Sequence, residues 1–238
     1  QNLPAAWVQH NVKPHRDADW SSVVVSLKPR GEAPGDATAA QMRRVAELAD
    51  RFGCGEVRVS HEQNLVLPDV PTAYLPAVHA ALAELNLATA NAGLASDMIC
   101  CPGLDFCSLA NAGSIDVAND LQELFADADL DELVGPLRLN LSGCMNGCGH
   151  HSVGHIGILG VDKKGEEWYQ LTLGGNSRND PRLGDRLGAA LSRDAVAPAV
   201  TRMLQAYLAL REPQETFLQT YDRVGLGPFK EAAYVTDH

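Results

Sequence analysis

The chain has 238 residues, of which 45% are apolar and 21% charged, and its formal net charge is −11. This length and apolar content suffice for one large domain or two small ones with buried cores. The acidic excess argues against nucleic acid or an anionic membrane as the main partner, because both bind clustered Lys and Arg. No apolar run approaches the roughly 20 residues of a membrane span, and the N-terminus lacks the basic-then-apolar order of a secretory signal. We therefore expect a cytoplasmic protein with no membrane partner.

The first part of the chain alternates strand and helix patterns. Three β-branched runs predict strands, at residues 21–28, 56–60 and 64–70. Thr38 and Gln41 have capping-box spacing ahead of an amphipathic stretch that ends near Gly53, which predicts a helix. Pro71 opens a second helical pattern. The order strand, helix, strand, strand, helix predicts a ferredoxin-like half-domain over residues 1–92.

The pattern changes at about Gly93, and residues 93–238 predict a second, mixed α/β domain. Runs of apolar and β-branched residues predict strands at 137–143, 155–161 and 168–175. Helical periodicity predicts helices near 106–125 and over 195–211, and one more in the tail, followed by Gly/Pro turns. The fold class is therefore predicted to be α+β.

Five of the six cysteines lie in two short loops rich in Gly and Pro. The two pairs are Cys101-x5-Cys107 and Cys144-x3-Cys148. Zinc sites generally use pairs separated by two to four residues, so the first loop suits zinc poorly. Four thiolates in two pairs suit a 4Fe–4S cluster, although the spacing alone leaves zinc and unligated thiols open. Cys54 is expected to pack as a small apolar residue, and Cys100 to be only a neighbour of the site.

The residues around these cysteines resemble a known family. CPGLDFCSLA, NLSGCMNGCGHHSVGHIGILG and LTLGGN, with VRVSHEQNLVLPDV before them, are similar to the sirohaem-containing sulfite and nitrite reductases, and most to the bacterial assimilatory ones. The resemblance implies a ferredoxin-like half-domain followed by a domain that binds a 4Fe–4S cluster and sirohaem. It implies that four cysteines ligate the cluster: Cys101, Cys107, Cys144 and Cys148. It further implies that Cys148 bridges to the sirohaem iron, and that the enzyme catalyses the six-electron reduction of sulfite to sulfide or nitrite to ammonia.

The resemblance also implies roles for polar residues near the motifs. It places Gln63 and Asn64 against the macrocycle, where amide donors suit its carboxylates, although both residues are also suited to capping a turn. Arg58 has the same predicted role, with a solvated strand residue as the alternative. His150 is expected to bond sirohaem carboxylates or cluster sulfur, with simple surface placement as its alternative. Asn146 is expected to position backbone around the cluster.

The match covers only the second half of the family's polypeptide. We therefore expect the chain to be the C-terminal half of a larger hemoprotein, with the N-terminal half as a partner that supplies many catalytic Lys and Arg. The other expected partners are an electron donor, either ferredoxin or a flavoprotein subunit, and sulfite or nitrite. The alternatives are a short self-associating reductase, an iron–sulfur electron-transfer module without sirohaem, and a zinc-stabilised binding module.

Overall fold

The computed structural model describes residues 3–126 and 128–235. The chain divides into two compact units, Gln1–Gly93 and Leu94–His238. Both units contain helices and a sheet, which gives the predicted α+β class. None of the helices in the described residues has the length and apolar character that a membrane crossing requires.

The first unit is a four-stranded antiparallel sheet with helices. Its strands are β1 (Val12–Pro14), β2 (Trp20–Val25), β3 (Arg58–Val59) and β4 (Leu65–Pro71). Its α-helices are α1 (Ala5–Asn11), α2 (Ala39–Phe52) and α3 (Leu75–Glu84), with a 3-10 turn at Thr72–Tyr74. The strand order is β1-β2-β4-β3. The core combines alternate side chains of β2 and β4 with apolar side chains of α2 and α3.

Helix α2 begins at the predicted capping box. The Thr38 hydroxyl accepts the Gln41 backbone N–H at 3.2 Å, and the Gln41 side-chain oxygen accepts the Thr38 backbone N–H at 2.8 Å. Gly53 ends the helix, as predicted. Between them, Val45, Leu48 and Ala49 are buried, so local cap chemistry and apolar spacing together define this element.

The second unit is built on a six-stranded mixed sheet. Its strands are β5 (Ile99–Cys100), β6 (Leu139–Ser142), β7 (Ile156–Lys163), β8 (Glu166–Leu173), β9 (Asp185–Arg186) and β10 (Leu191–Ser192). The order is β10-β8-β7-β6-β5, and β9 also pairs with β8. Strand β6 lies between β5 and β7 and is parallel to both, whereas the remaining pairs are antiparallel. The two parallel neighbours of β6 matter for the site, because parallel strands end at a common edge.

Helices complete the second core. They are α4 (Ile115–Leu124), α5 (Ala128–Val134), α6 (Arg193–Leu210), α7 (Phe217–Val224) and α8 (Gly227–Ala233), with 3-10 turns at Gly103–Asp105 and His151–Val153. Helix α6 packs against α4, α7, α8 and β8. Its buried residues join apolar side chains of the sheet in one continuous core.

Two helix predictions in this unit were wrong in extent. The helix predicted near 106–125 begins only at Ile115, because the preceding residues form short turns and the N–H groups of Asn111 and Ala112 donate to Gly143 of the second loop. The tail contains two helices where one was predicted, since Gly227 and Pro228 open α8 rather than a turn. Proline is compatible with the first helical turn, where its missing N–H removes no hydrogen bond.

Candidate functional site

The two cysteine loops leave the same edge of the second sheet. Strands β5 and β6 are parallel neighbours, with Cys100 opposite Leu141, so their carboxyl ends lie at one edge. Cys101 follows β5 directly, and Cys144 lies two residues beyond the end of β6. The Cys101 backbone N–H continues the pairing by donating to the Leu141 carbonyl at 3.1 Å. The sheet therefore brings the backbone at the first cysteine of each pair to the same edge.

Gly143 joins the two loops through three hydrogen bonds. Its carbonyl accepts the backbone N–H groups of Asn111 and Ala112 at 2.8 and 3.0 Å. Its own N–H donates to Cys101 Sγ at 3.0 Å. One residue of the second loop thus holds the backbone of the first loop and contacts one of its sulfurs.

The second loop folds back onto β6. The Gly149 N–H donates to Ser142 Oγ at 3.1 Å, and Asn140 Nδ2 donates to the Gly149 carbonyl at 2.9 Å. A Cβ atom at position 149 would lie 1.7 Å from the Leu141 carbonyl oxygen. Only glycine allows this close approach of loop to strand.

The six cysteines are free thiols that differ in exposure. Cys101 and Cys144 are buried, Cys107 is partly buried, and Cys148 is exposed. Over residues 3–126 and 128–235, no group of three or more His, Cys, Asp or Glu side chains is arranged to hold a metal ion.

The two remaining cysteines lie apart from this pattern. Cys54 is exposed, so the expectation that it packs as a small apolar residue was wrong. It follows Gly53, beyond the last residue of α2, where no core side chains cover it. Cys100 is buried, and its thiol donates to the Cys101 carbonyl at 3.1 Å.

The histidines after Cys148 face in different directions. His150, the predicted contact residue, is exposed and adopts a left-handed backbone with φ of 54°, while its N–H donates to the Gly147 carbonyl at 2.7 Å. His151 is partly buried, and its ring lies beside Gly147, where a Cβ would be 3.6 Å from its Cε1. Burial lowers the pKa of His151. The position of the His151 ring could not be predicted from the sequence, because only the turn geometry decides which of two adjacent histidines faces the loop.

A group of arginines surrounds His155 near the start of β7. Burial, and then the charges of Arg138, Arg178 and Arg182, lower the pKa of His155 to about 4, so the ring is neutral at pH 7. Its Nδ1 accepts the Arg138 backbone N–H at 3.2 Å. Arg178 and Arg182 lie in the GGNSRNDPRLG loop after β8, directly after the LTLGGN motif, and neither arginine was predicted to have a role.

Large apolar side chains are exposed on both cysteine loops. Leu104, Phe106 and Leu109 lie in the first loop, and Phe106 is 78% exposed. Met145 in the second loop is 83% exposed. Asn146 beside it is exposed too, and its predicted positioning role stays a prediction. The thiols are therefore flanked by apolar surface that water reaches in this chain.

The Asn64 side chain is buried in the first unit and forms hydrogen bonds to other residues of that unit. It is 2% exposed, and its Oδ1 accepts the Leu27 backbone N–H at 3.0 Å and the Lys28 ammonium at 2.9 Å. Lys28 is itself only 2% exposed and also donates to the Glu62 carbonyl. The burial of Lys28 could not be predicted, because a lysine at the end of a predicted strand carries no local sign of burial.

Arg58 and Gln63 occupy more open positions of the same unit. The Arg58 side chain is exposed and forms an ion pair with Glu56 at 2.5 Å, and this hydrogen bond raises the pKa of Arg58. Gln63 sits in the turn between β3 and β4 with φ of 57°. The predicted cofactor roles of both residues stay predictions.

Two family models match the chain. The nitrite and sulphite reductase 4Fe-4S domain matches residues 95–237, which is more than half of the chain. The nitrite/sulfite reductase ferredoxin-like half domain matches residues 19–85. The two matches fall in the second and the first structural unit, respectively.

Curated relatives and a solved structure are similar over most of this chain. The ferredoxin–nitrite reductase of Synechococcus elongatus is 33% identical over 178 residues, which cover 71% of this chain and 33% of that protein. Sulfite reductase (ferredoxin) 2 of Mycolicibacterium paratuberculosis is 30% identical over 205 residues, covering 81% of this chain and 37% of the relative. The structure of the Mycobacterium tuberculosis NirA protein superposes with a TM-score of 0.77 at 24% identity, covering 92% of this chain and 41% of that one, which supports the fold. The chain thus spans about a third of the length of these curated relatives.

The first prediction concerns the approach of the second loop to β6. Gly149→Ala should lower the free energy of unfolding by roughly 3 kcal/mol and reduce the iron bound by the purified protein, because the added Cβ forces the loop away from Leu141. Urea unfolding and iron analysis measure both effects. Gly227→Ala is the matched control, since no heavy atom lies within 4 Å of its Cβ position. Equal stability of the two variants would contradict the required close approach.

The second prediction separates the structural role of Asn64 from any role toward a cofactor. In cofactor-free protein, Asn64→Ala should lower the free energy of unfolding by about 3 kcal/mol, because two buried donors lose their acceptor. Urea unfolding measures this, with the exposed Asn179→Ala as control. An Asn64→Ala protein as stable as the wild type without cofactor would argue that Asn64 acts only on a ligand.

Proposed function

We propose that this chain, which belongs to the nitrite and sulfite reductase family, is the part of such an enzyme that holds a 4Fe–4S cluster and sirohaem. The proposed cluster ligands are the paired cysteines of the two loops: Cys101, Cys107, Cys144 and Cys148. The observation that carries the proposal is the joining of these two loops at Gly143, beside the common edge of β5 and β6.

The chemical type of the residues present fits these cofactors. Four thiols are soft donors of the kind that iron–sulfur clusters require. The Gly143 N–H already donates to one of these sulfurs, and backbone donors of this kind stabilise a ligating thiolate. Cys148 is exposed whereas Cys101 and Cys144 are buried. This difference supports Cys148 as the cysteine that is shared with the sirohaem iron.

When bound, the two cofactors supply one-electron steps and an iron site for the six-electron reduction of nitrite to ammonia or of sulfite to sulfide. The chain's own residues hold and shield the sulfurs, since burial of Cys101 and Cys144 limits the access of water. Positive charge from Arg138, Arg178 and Arg182 in the second unit suits anionic groups. Arg58, Gln63 and Asn64 are retained as candidate contacts to the sirohaem carboxylates from the first unit, and Asn146 and His150 from the second.

Two further partners belong to this proposal. The N-terminal half of the same hemoprotein would supply the Lys and Arg that the cysteine loops lack. This partner is supported by the coverage of the relatives, because the chain matches only about a third of their length. The apolar side chains that are exposed on the cysteine loops would be buried if additional polypeptide packed against them. Ferredoxin is the proposed electron donor, because both curated relatives described above are named as ferredoxin-dependent enzymes.

The third prediction tests the four ligands. Replacement of any one of the four cysteines at positions 101, 107, 144 and 148 by serine should lower the iron and sulfide content of the purified protein. The reason is that a hard serine oxygen binds cluster iron less well than a soft thiolate does. Cys54→Ser and Cys100→Ser are the controls and should leave the cluster intact. In any Cys148→Ser protein that retains both cofactors, magnetic coupling between cluster and haem iron should vanish in Mössbauer or electron paramagnetic resonance spectra. Cluster loss in a control, or coupling that persists without Cys148, would contradict the assignment.

The fourth prediction concerns catalysis by the chain alone. Residues 1–238 loaded with cofactor should reduce nitrite or sulfite at least tenfold more slowly than the same chain joined to an N-terminal half, because cations that bind the oxyanion stabilise its reduction. Steady-state assays with a reduced one-electron dye measure both rates. Comparable rates would instead favour a short reductase that is complete by itself.

A further inference from the structure

The hydroxyl of Ser114 is buried against a cysteine sulfur. Ser114 is 2% exposed, and its Oγ lies 3.7 Å from Sγ of Cys101, which is 9% exposed. Ser114 is the N-cap residue of α4, yet its side chain makes no capping hydrogen bond. A serine in this position generally accepts a backbone N–H of the first helical turn. Here the hydroxyl is directed to the sulfur instead.

Two glycines make room for this hydroxyl. A Cβ at Gly103 would lie 2.7 Å from Ser114 Oγ, and a Cβ at Gly143 would lie 3.0 Å from it. Gly103 belongs to the first cysteine loop and Gly143 to the second. The hydroxyl therefore occupies a small space at the junction of the two loops, next to the hydrogen bonds by which Gly143 joins them.

Residues of β8 hold the segment that carries Ser114. The Glu167 carboxylate accepts the Gly113 backbone N–H at 2.7 Å, and the Tyr169 hydroxyl lies 3.0 Å from the same carboxylate and 2.8 Å from the Gly113 carbonyl. Burial and the Glu167 carboxylate raise the pKa of Tyr169, so its hydroxyl remains a donor. The residue before Ser114 is thus fixed to the sheet on both of its backbone polar groups.

We propose that Ser114 is a positioning residue that donates its hydroxyl hydrogen to the Cys101 thiolate and raises the reduction potential of the cluster. The proposal rests on the proposed function, because Cys101 must be a cluster ligand. A ligating thiolate carries no hydrogen, so between these two atoms only the hydroxyl can donate. With the Gly143 N–H, Cys101 Sγ then receives two hydrogen bonds.

The direction of the effect follows from charge. One-electron reduction adds negative charge to the cluster and its sulfurs, so a donor to sulfur stabilises the reduced form more than the oxidised form. A buried site strengthens this difference, because solvent does not screen it. Removing the hydroxyl should therefore make the cluster harder to reduce. A purely structural role as a helix cap would change stability without moving the potential in this direction.

The test is a redox titration of cluster-loaded protein, followed by electron paramagnetic resonance. Ser114→Ala should keep the iron content of the wild type and lower the equilibrium constant for one-electron reduction about tenfold, a shift of about 59 mV to more negative potential. Ser114→Gly should give the same shift, and glycine is well tolerated at an N-cap. Ser108→Ala is the matched control, because Ser108 is exposed and follows Cys107 directly. The cluster potential of this variant should equal that of the wild type.

The outcomes separate this inference from the proposed function. A wild-type protein without a 4Fe–4S signal would overturn the proposed function itself. Variants at position 114 that retain the cluster with an unchanged potential would overturn only the role of Ser114. Loss of the cluster from both Ser114 variants, with Ser108→Ala intact, would also overturn it, because the residue would then hold the site rather than set its potential.

Discussion

The hydrogen bonds of Gly143 are the interaction on which the cysteine site depends. They tie Asn111 and Ala112 of the first loop to the second, and they give Cys101 Sγ a backbone donor. Without them the two cysteine pairs would be separate loops on adjacent strands. Because Gly143 has no side chain, the two backbones can approach closely enough for these bonds to form.

Strand β6 carries this arrangement from its position between two parallel neighbours. All four of its residues are buried, and two of them are polar, Asn140 and Ser142. Each of these side chains has a hydrogen bond to Gly149 in the loop that follows. Buried polar groups generally need such partners. The strand thus uses its polar positions to hold the loop and its apolar positions, Leu139 and Leu141, to join the core.

Charge is distributed unevenly in the second unit. The chain as a whole is acidic, with a formal net charge of −11. Three arginines nevertheless lie close enough to His155 to depress its pKa, and two of them come from the loop after β8. Folding brings Arg138 close to the same histidine, while Arg182 also forms an ion pair with Asp222 at 2.6 Å.

Much of the fold could be predicted because its signals are local. The capping box of α2, its stop at Gly53 and the paired strands β7 and β8 follow from residues close together in sequence. The start of α4 could not be predicted in this way. The residues before Ile115 form local turns, and Asn111 and Ala112 donate their N–H groups to Gly143, which lies far away in sequence.

The sequence by itself determined the chemical type of the candidate site: paired thiols, glycines around them, and a resemblance that the family matches confirm. The tertiary structure decided the burial and the hydrogen-bond partners of individual side chains. His150 is exposed, whereas the His151 ring lies beside Gly147. Asn64 accepts a hydrogen bond from the Lys28 ammonium, and the Ser114 hydroxyl lies against Cys101 Sγ. The physical reason is that residue type sets which atoms can bind, whereas direction depends on hydrogen bonds between segments far apart in the chain.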